Sequence, residues 1–221
     1  MNLIATNDLQ DETMAHSGKL ISRSALVGAA LGILSVVFLS AGAVADEPAL
    51  PYAACLTCHG DAGNNPIPGM LAPKLAGLDA QYITKQLHDY QSGRRVHEAM
   101  NTLAKTLSES DVNAAAEYFS SQTRTPDEVT DKVLAKQGEA IIKHGYSGNA
   151  VPACVNCHND GMYGAARYPR VAGQKPDYLI NQLTHFKSGE RHNDFGQMSR
   201  VAMRLTDDQI KAVAEYISTL N

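Results

Sequence analysis

The sequence predicts an all-α chain built as two tandem copies of one small domain. Three observations predict it. The motif Cys-x-x-Cys-His occurs twice, at Cys55–His59 and Cys154–His158, and uses all four cysteines of the 221-residue chain. The residues that follow each motif repeat one another. The apolar residues recur at helical spacing, and no alternating run marks a strand.

Cys-x-x-Cys-His is the attachment pattern for c-type haem. Each thiol can form a thioether to a haem vinyl group, and two intervening residues match the separation of the vinyls. The histidine is then held beneath the porphyrin, where its imidazole binds iron. Other readings of four cysteines fit less well. Two disulfides in an exported chain leave His59 and His158 without a task. A compact zinc ribbon does not leave 95 residues between Cys58 and Cys154. A thioredoxin-like pair needs a βαβ setting. The motifs therefore point to two covalently bound haem c groups, one on Cys55 and Cys58 and one on Cys154 and Cys157. His59 and His158 are the iron ligands this implies.

Residues 1–45 read as an export segment. Lys19 and Arg23 precede an apolar run from Ala25 to Leu39, and Ala43-Val44-Ala45 forms a cleavage site. The alternative is an uncleaved anchor, since Ala25–Ala45 just spans a bilayer at about 1.5 Å per residue. Asp8, Asp11 and Glu12 upstream are atypical of a signal. Either reading places the remainder outside the cytoplasm. The whole chain carries a formal charge of −4 with no basic stripe, which excludes nucleic acid as a partner. Residues 46–125 hold 6 basic and 9 acidic side chains and residues 126–221 hold 11 of each, a mild asymmetry toward a charged redox partner.

The remainder divides into a first domain at 46–122, a polar linker at 123–130 (Thr-Arg-Thr-Pro-Asp-Glu-Val-Thr) and a second domain at 131–221. Pro73–Tyr82 matches Pro169–Tyr178, and the match continues through Gln86-Leu87 with Gln182-Leu183, Ser92-Gly93 with Ser188-Gly189, and Arg95 with Arg191. Nine of these 23 aligned positions are identical, which identifies a duplication rather than two similar helices. Ile83, Leu87 and Tyr90 form one helical stripe, ended near Gly93; Leu179, Leu183 and Phe186 form its copy, ended at Gly189. A later helix opens at Ser108 with Asp111 three residues on, and its copy at Thr206 with Gln209. Their apolar faces are Val112, Ala115, Ala116 and Phe119, and Ile210, Val213, Ala214 and Ile217. A helix over 131–144 opens the second domain. The first has no counterpart of that length after residue 46. Domains of about 80 residues have thin cores, so a buried haem supplies apolar mass and the apoprotein is expected to fold poorly.

An electron-carrying haem needs a ligand opposite its histidine, and methionine sulfur raises the potential relative to a second histidine. Met100 and Met198 are the candidates. Each is followed at the same spacing by alanine, leucine and the helix cap, and they lie 41 and 40 residues after His59 and His158. The alternatives are that both are core, or that His97 and His192 ligate; those two lie three and six residues before their methionines and are out of register. Met70, Met162 and Met203 have no methionine counterpart and read as gap-fillers. Pro73 and Pro169 follow their histidines by 14 and 11 residues; their carbonyls either accept the second ring N–H or only set turns. Tyr82, Tyr178, Arg95 and Arg191 recur in both copies, as propionate partners or as packing and solvated side chains.

Taken together, both Cys-x-x-Cys-His motifs, Pro-x-x-Ala-Gly ahead of Tyr-x-x-x-Gln-Leu, Ser-Gly-x-Arg and the methionine-then-capped-helix segment resemble the cytochrome c4 family across roughly residues 52–220. The resemblance implies two class I cytochrome c domains related by a pseudo-twofold axis, with haem propionate edges facing across the interface. It implies axial pairs of His59 with Met100 and His158 with Met198. It implies a periplasmic one-electron carrier, soluble or associated with the inner membrane. Such a carrier takes electrons from a quinol-oxidising complex or dehydrogenase and donates to a terminal oxidase. The rival readings are a cytochrome subunit of a periplasmic dehydrogenase, and a dihaem peroxidase, which needs an open coordination site that two matched methionines argue against.

Overall fold

The computed structural model describes residues 51–165 and 167–221; the export segment and residues 46–50 lie outside the described residues. The described chain is helical with two isolated β-bridges and no strand. In order the helices are α1 (Ala53–His59), α2 (Ala80–Gln91), α3 (Glu98–Ala104), α4 (Glu109–Ser121), α5 (Lys132–His144), α6 (Val155–His158), α7 (Pro176–Ser188), α8 (Gln197–Ala202) and α9 (Asp207–Ser218). No helix among the described residues is long and apolar enough to cross a membrane.

Helices α2, α4, α5 and α9 start where the sequence supplies a side-chain acceptor. Asp79 accepts Tyr82 N–H at the head of α2, and Asp131 accepts Val133 N–H and Leu134 N–H at the head of α5. The expected capping boxes form at both copies, Ser108 with Asp111 on α4 and Thr206 with Gln209 on α9. Pro176, in the first turn of α7, has no N–H to leave unpaired.

The stripes read from the sequence become two cores. In the first lobe Ile83 and Leu87 of α2 meet Val112, Ala115, Ala116 and Phe119 of α4. In the second, Ile141 and Ile142 of α5 and Leu179 of α7 meet Ile210, Val213, Ala214 and Ile217 of α9. α5 and α9 cross so closely at Gly138 that an added Cβ would lie 2.0 Å from Ala212 O. Met162 fills the second core as expected. Met70 and Met203 do not fill gaps: they stand 47% and 59% exposed.

The segment read as a polar linker is partly interior. Arg124 is 2% exposed. Its Nε donates to Ala76 O at 2.7 Å, and its two terminal nitrogens donate to Ala172 O at 3.0 Å and Lys74 O at 3.2 Å. One guanidinium thus joins the Pro-x-x-Ala-Gly loops of both lobes. Lys74, also buried, reaches Thr125 O and Asp127 Oδ1.

The far end of the linker is fixed by Glu215 of α9, whose Oε1 accepts Thr130 N–H at 2.6 Å, Thr130 Oγ1–H at 2.8 Å and Asp131 N–H at 2.9 Å. Burial pushes this carboxyl up, but the donors outweigh it and hold it below the usual 4.5. A folded value below the unfolded one gives stability that is full above about pH 4.5 and is lost as pH falls through the folded value. Glu215→Gln is therefore expected to lower stability at neutral pH and to flatten the acid limb of the stability curve, as read by urea unfolding between pH 3 and 7.

Candidate functional site

Both motif histidines end short helices and turn inward. His59 is the last residue of α1 and His158 of α6, and both are buried. The chain leaves each through a left-handed residue, Gly60 (φ 74°) and Asn159 (φ 66°). Gly60 has no room for a side chain, since a Cβ would sit 1.8 Å from Asn65 O.

The two proline carbonyls do accept the ring N–H. His59 Nδ1 lies 2.8 Å from Pro73 O and His158 Nδ1 lies 2.9 Å from Pro169 O. A carbonyl can only accept, so Nδ1 carries the proton and Nε2 keeps its lone pair for a metal. Burial pushes both imidazoles below their ordinary value; the Pro73 and Pro169 bonds oppose this, and His97 adds to it at His59. Both rings are therefore neutral at neutral pH, the state a metal ligand requires.

The second-lobe residues converge on one cavity of about 980 Å³, at the upper end of the roughly 300–1,000 Å³ usual for ligand clefts. Cys154, Cys157, His158 and Met198 all line it. Its walls are apolar (Leu179, Leu183, Phe186, Val213), and Arg167, Arg170, Arg191, Arg200 and Arg204 also line it. An apolar slot with cations about it suits a flat group that carries carboxylates, so these residues fit a haem. Burial pushes the Cys154 thiol up to about 11 and the Cys55 thiol up as well, and no cysteine is in a disulfide.

In the first lobe the grouping is by packing: Met100 and Leu56 lie against the core group that contains Cys55. The rival histidines have other places. His97 caps α3 and accepts Met100 N–H at 3.4 Å, and His192 is exposed beside Gly189 O.

The recurring tyrosines and arginines meet each other across the lobes. Arg95 donates to Gln86 within its lobe and to Tyr178 Oη at 2.8 Å in the other. Arg191 donates to Gln182 within its lobe and to Tyr82 Oη at 3.0 Å. Each bond is the image of the other under exchange of the copies, as a twofold axis requires. The cavity reaches this network, with Tyr82, Gln86, Gln182 and Arg191 in its lining. Three residues went unrecognised in the sequence: Arg124, Gln174 and Asp89, a buried carboxylate on α2 that binds Arg94 and Asn193.

Comparison with known proteins agrees with this geometry. Residues 135–221 match the family described as "Cytochrome c", and residues 43–119 match "Cytochrome C oxidase, cbb3-type, subunit III". "Cytochrome c4" of Thiocapsa roseopersicina is 40% identical, over 76% of this chain and 87% of that protein. "Thiosulfate dehydrogenase electron acceptor" of Thiomonas intermedia (strain K12) is 35% identical, over 89% of this chain and 90% of that protein. The crystal structure of reduced recombinant cytochrome c4 from Pseudomonas stutzeri superposes with a TM-score of 0.72 at 37% identity, over 77% of this chain and 95% of that one.

Proposed function

The chain belongs to the cytochrome c4 family, electron carriers with two covalently bound haem c groups, and from that premise we propose that it is a periplasmic one-electron carrier of a respiratory chain. Bound haem supplies the one-electron ferric–ferrous couple. The chain supplies everything else. His59 with Met100, and His158 with Met198, are the residues that would hold the two haem irons, and a ligand set kept in both oxidation states would make reorganisation small. The apolar cores exclude water. The paired Arg–Tyr contacts hold the lobes at a fixed spacing, so an electron entering one lobe has a constant path to the other. The domains are taken as 46–122 and 131–221 around the 123–130 linker. Export depends on residues 1–45, as a cleaved signal or as an inner-membrane anchor.

The observation that carries this reading is the placing of His158 and Met198 on one cavity with Cys154 and Cys157. The donor is a quinol-oxidising complex or a dehydrogenase, and the acceptor a terminal oxidase. A second reading, acceptor for a thiosulfate-oxidising dehydrogenase, is favoured by the relative of that name. Stopped-flow mixing separates them. Reduced protein mixed with oxidase-containing membranes is expected to be reoxidised, with a rate that falls as salt rises. No reoxidation there, with rapid reduction by a thiosulfate dehydrogenase, would replace the first reading by the second.

A further inference from the structure

The peptide bond between Pro73 and Lys74 is held from both sides. Its carbonyl accepts the ring N–H of His59 at 2.8 Å, and its N–H donates to Oε1 of Gln174, in the other lobe, at 2.7 Å. Gln174 closes the contact by donating from Nε2 to Lys74 O at 2.8 Å. Both residues are buried, at 4% and 1% exposure, and Arg124 holds the same Lys74 carbonyl from the linker side.

Hydrogen bonds in series polarise one another. A peptide whose N–H donates has a more negative oxygen, which accepts more strongly. The imidazole behind it gains anionic character and becomes a more basic ligand. A more basic ligand favours the more positive iron, so the potential falls. The copies differ here. His158 has its own carbonyl, Pro169 O, but the first-lobe residue that corresponds to Gln174 is Leu78, a side chain that cannot accept a hydrogen bond.

We propose that Gln174 is a positioning residue for the other lobe's redox centre: through the Pro73–Lys74 peptide it strengthens the His59 hydrogen bond and lowers the potential of the first-lobe haem. The relay exists only while the lobes are docked, so lobe contact itself tunes the first centre. This rests on His59 as an axial ligand.

The test uses the intact holoprotein. Gln174→Met keeps an unbranched chain of similar size and removes the acceptor. In ferrous protein its His59 ring N–H resonance is expected to move upfield, with that of His158 unchanged. In a potentiometric titration the first-lobe couple is expected to shift upward by about threefold in its equilibrium, about 28 mV at roughly 59 mV per decade for one electron, and the second couple by less, although Gln174 also lines the second-lobe cavity. An unmoved His59 resonance, or equal shifts of both couples, overturns the proposal. If Gln174→Met does not fold, Gln174→Glu keeps the acceptor and adds charge, and it must lower the first-lobe couple more than the second; an equal or absent change overturns the proposal. Met100→His assigns the couples, because a second histidine lowers the potential of its own haem. Should it move neither couple, the axial pairing of Met100 fails, and the His59 resonance still decides for or against Gln174.

Discussion

Met198→Ala is expected to turn a closed carrier into a ligand-binding protein at one of its two haems. With Met100 and Met198 on the irons as proposed, carbon monoxide added to ferrous protein finds no vacant position. Alanine is too short to reach the metal, and Met198 lines the same cavity as His158. The variant is expected to bind one carbon monoxide per chain, and its affected couple to fall, since sulfur ligation favours the reduced iron. Met100→Ala is expected to do the same in the first lobe, and the double variant to bind two. Exogenous imidazole is expected to fill either position and restore a six-coordinate spectrum. If the single variants bind nothing, the methionines are core residues. If the unmodified protein already binds carbon monoxide or reduces peroxide rapidly, the carrier assignment fails.

The second large effect is structural. Arg124→Met is expected to destabilise the holoprotein by about 2–4 kcal/mol, since its partners are neutral carbonyls and each one left buried without a donor costs about 1–3 kcal/mol. Its guanidinium binds three carbonyls, and a methionine of similar volume leaves Ala76 O and Ala172 O without donors while Lys74 O keeps Gln174 Nε2. Burial, with Arg170 adding to it, pulls the Arg124 value down to about 9. The cation is therefore held at a cost, which relief of desolvation partly returns in the variant. Three lost charge-assisted bonds at roughly 1.5–3 kcal/mol each outweigh that return. Arg124→Lys keeps the charge but not the fork geometry and is expected to fall between. Urea unfolding gives the energies. Limited proteolysis gives the location, with new cleavage expected within residues 123–130. Wild-type stability and protease resistance in Arg124→Met would show that the linker does not brace the lobes.

The sequence made some features legible and hid others for physical reasons. Helix starts could be read because capping is local: Ser108 and Asp111, or Thr206 and Gln209, meet within one turn. The proline carbonyls could be proposed because a motif and its acceptor recur together. Tyr82, Tyr178, Arg95 and Arg191 could be picked out by recurrence. Recurrence says that both copies need a residue, however, and not that its partner lies in the other copy. Arg124 could not be found that way, because the linker occurs once and has nothing to be compared with. Gln174 was hidden by divergence, since its counterpart is Leu78. Arg124 and Gln174 join the copies without recurring in both, so reading by repeats overlooks them.

The central claim is that two porphyrins are tethered to this chain, one on each pair of cysteines. The mass of the intact protein, purified from a host that attaches c-type haem and denatured before measurement, tests it most directly. The account predicts a polypeptide mass increased by two haems, with Cys154→Ala/Cys157→Ala reducing the increase to one. A mass explained by amino acids alone, or by a single prosthetic group in the unmodified protein, would contradict it.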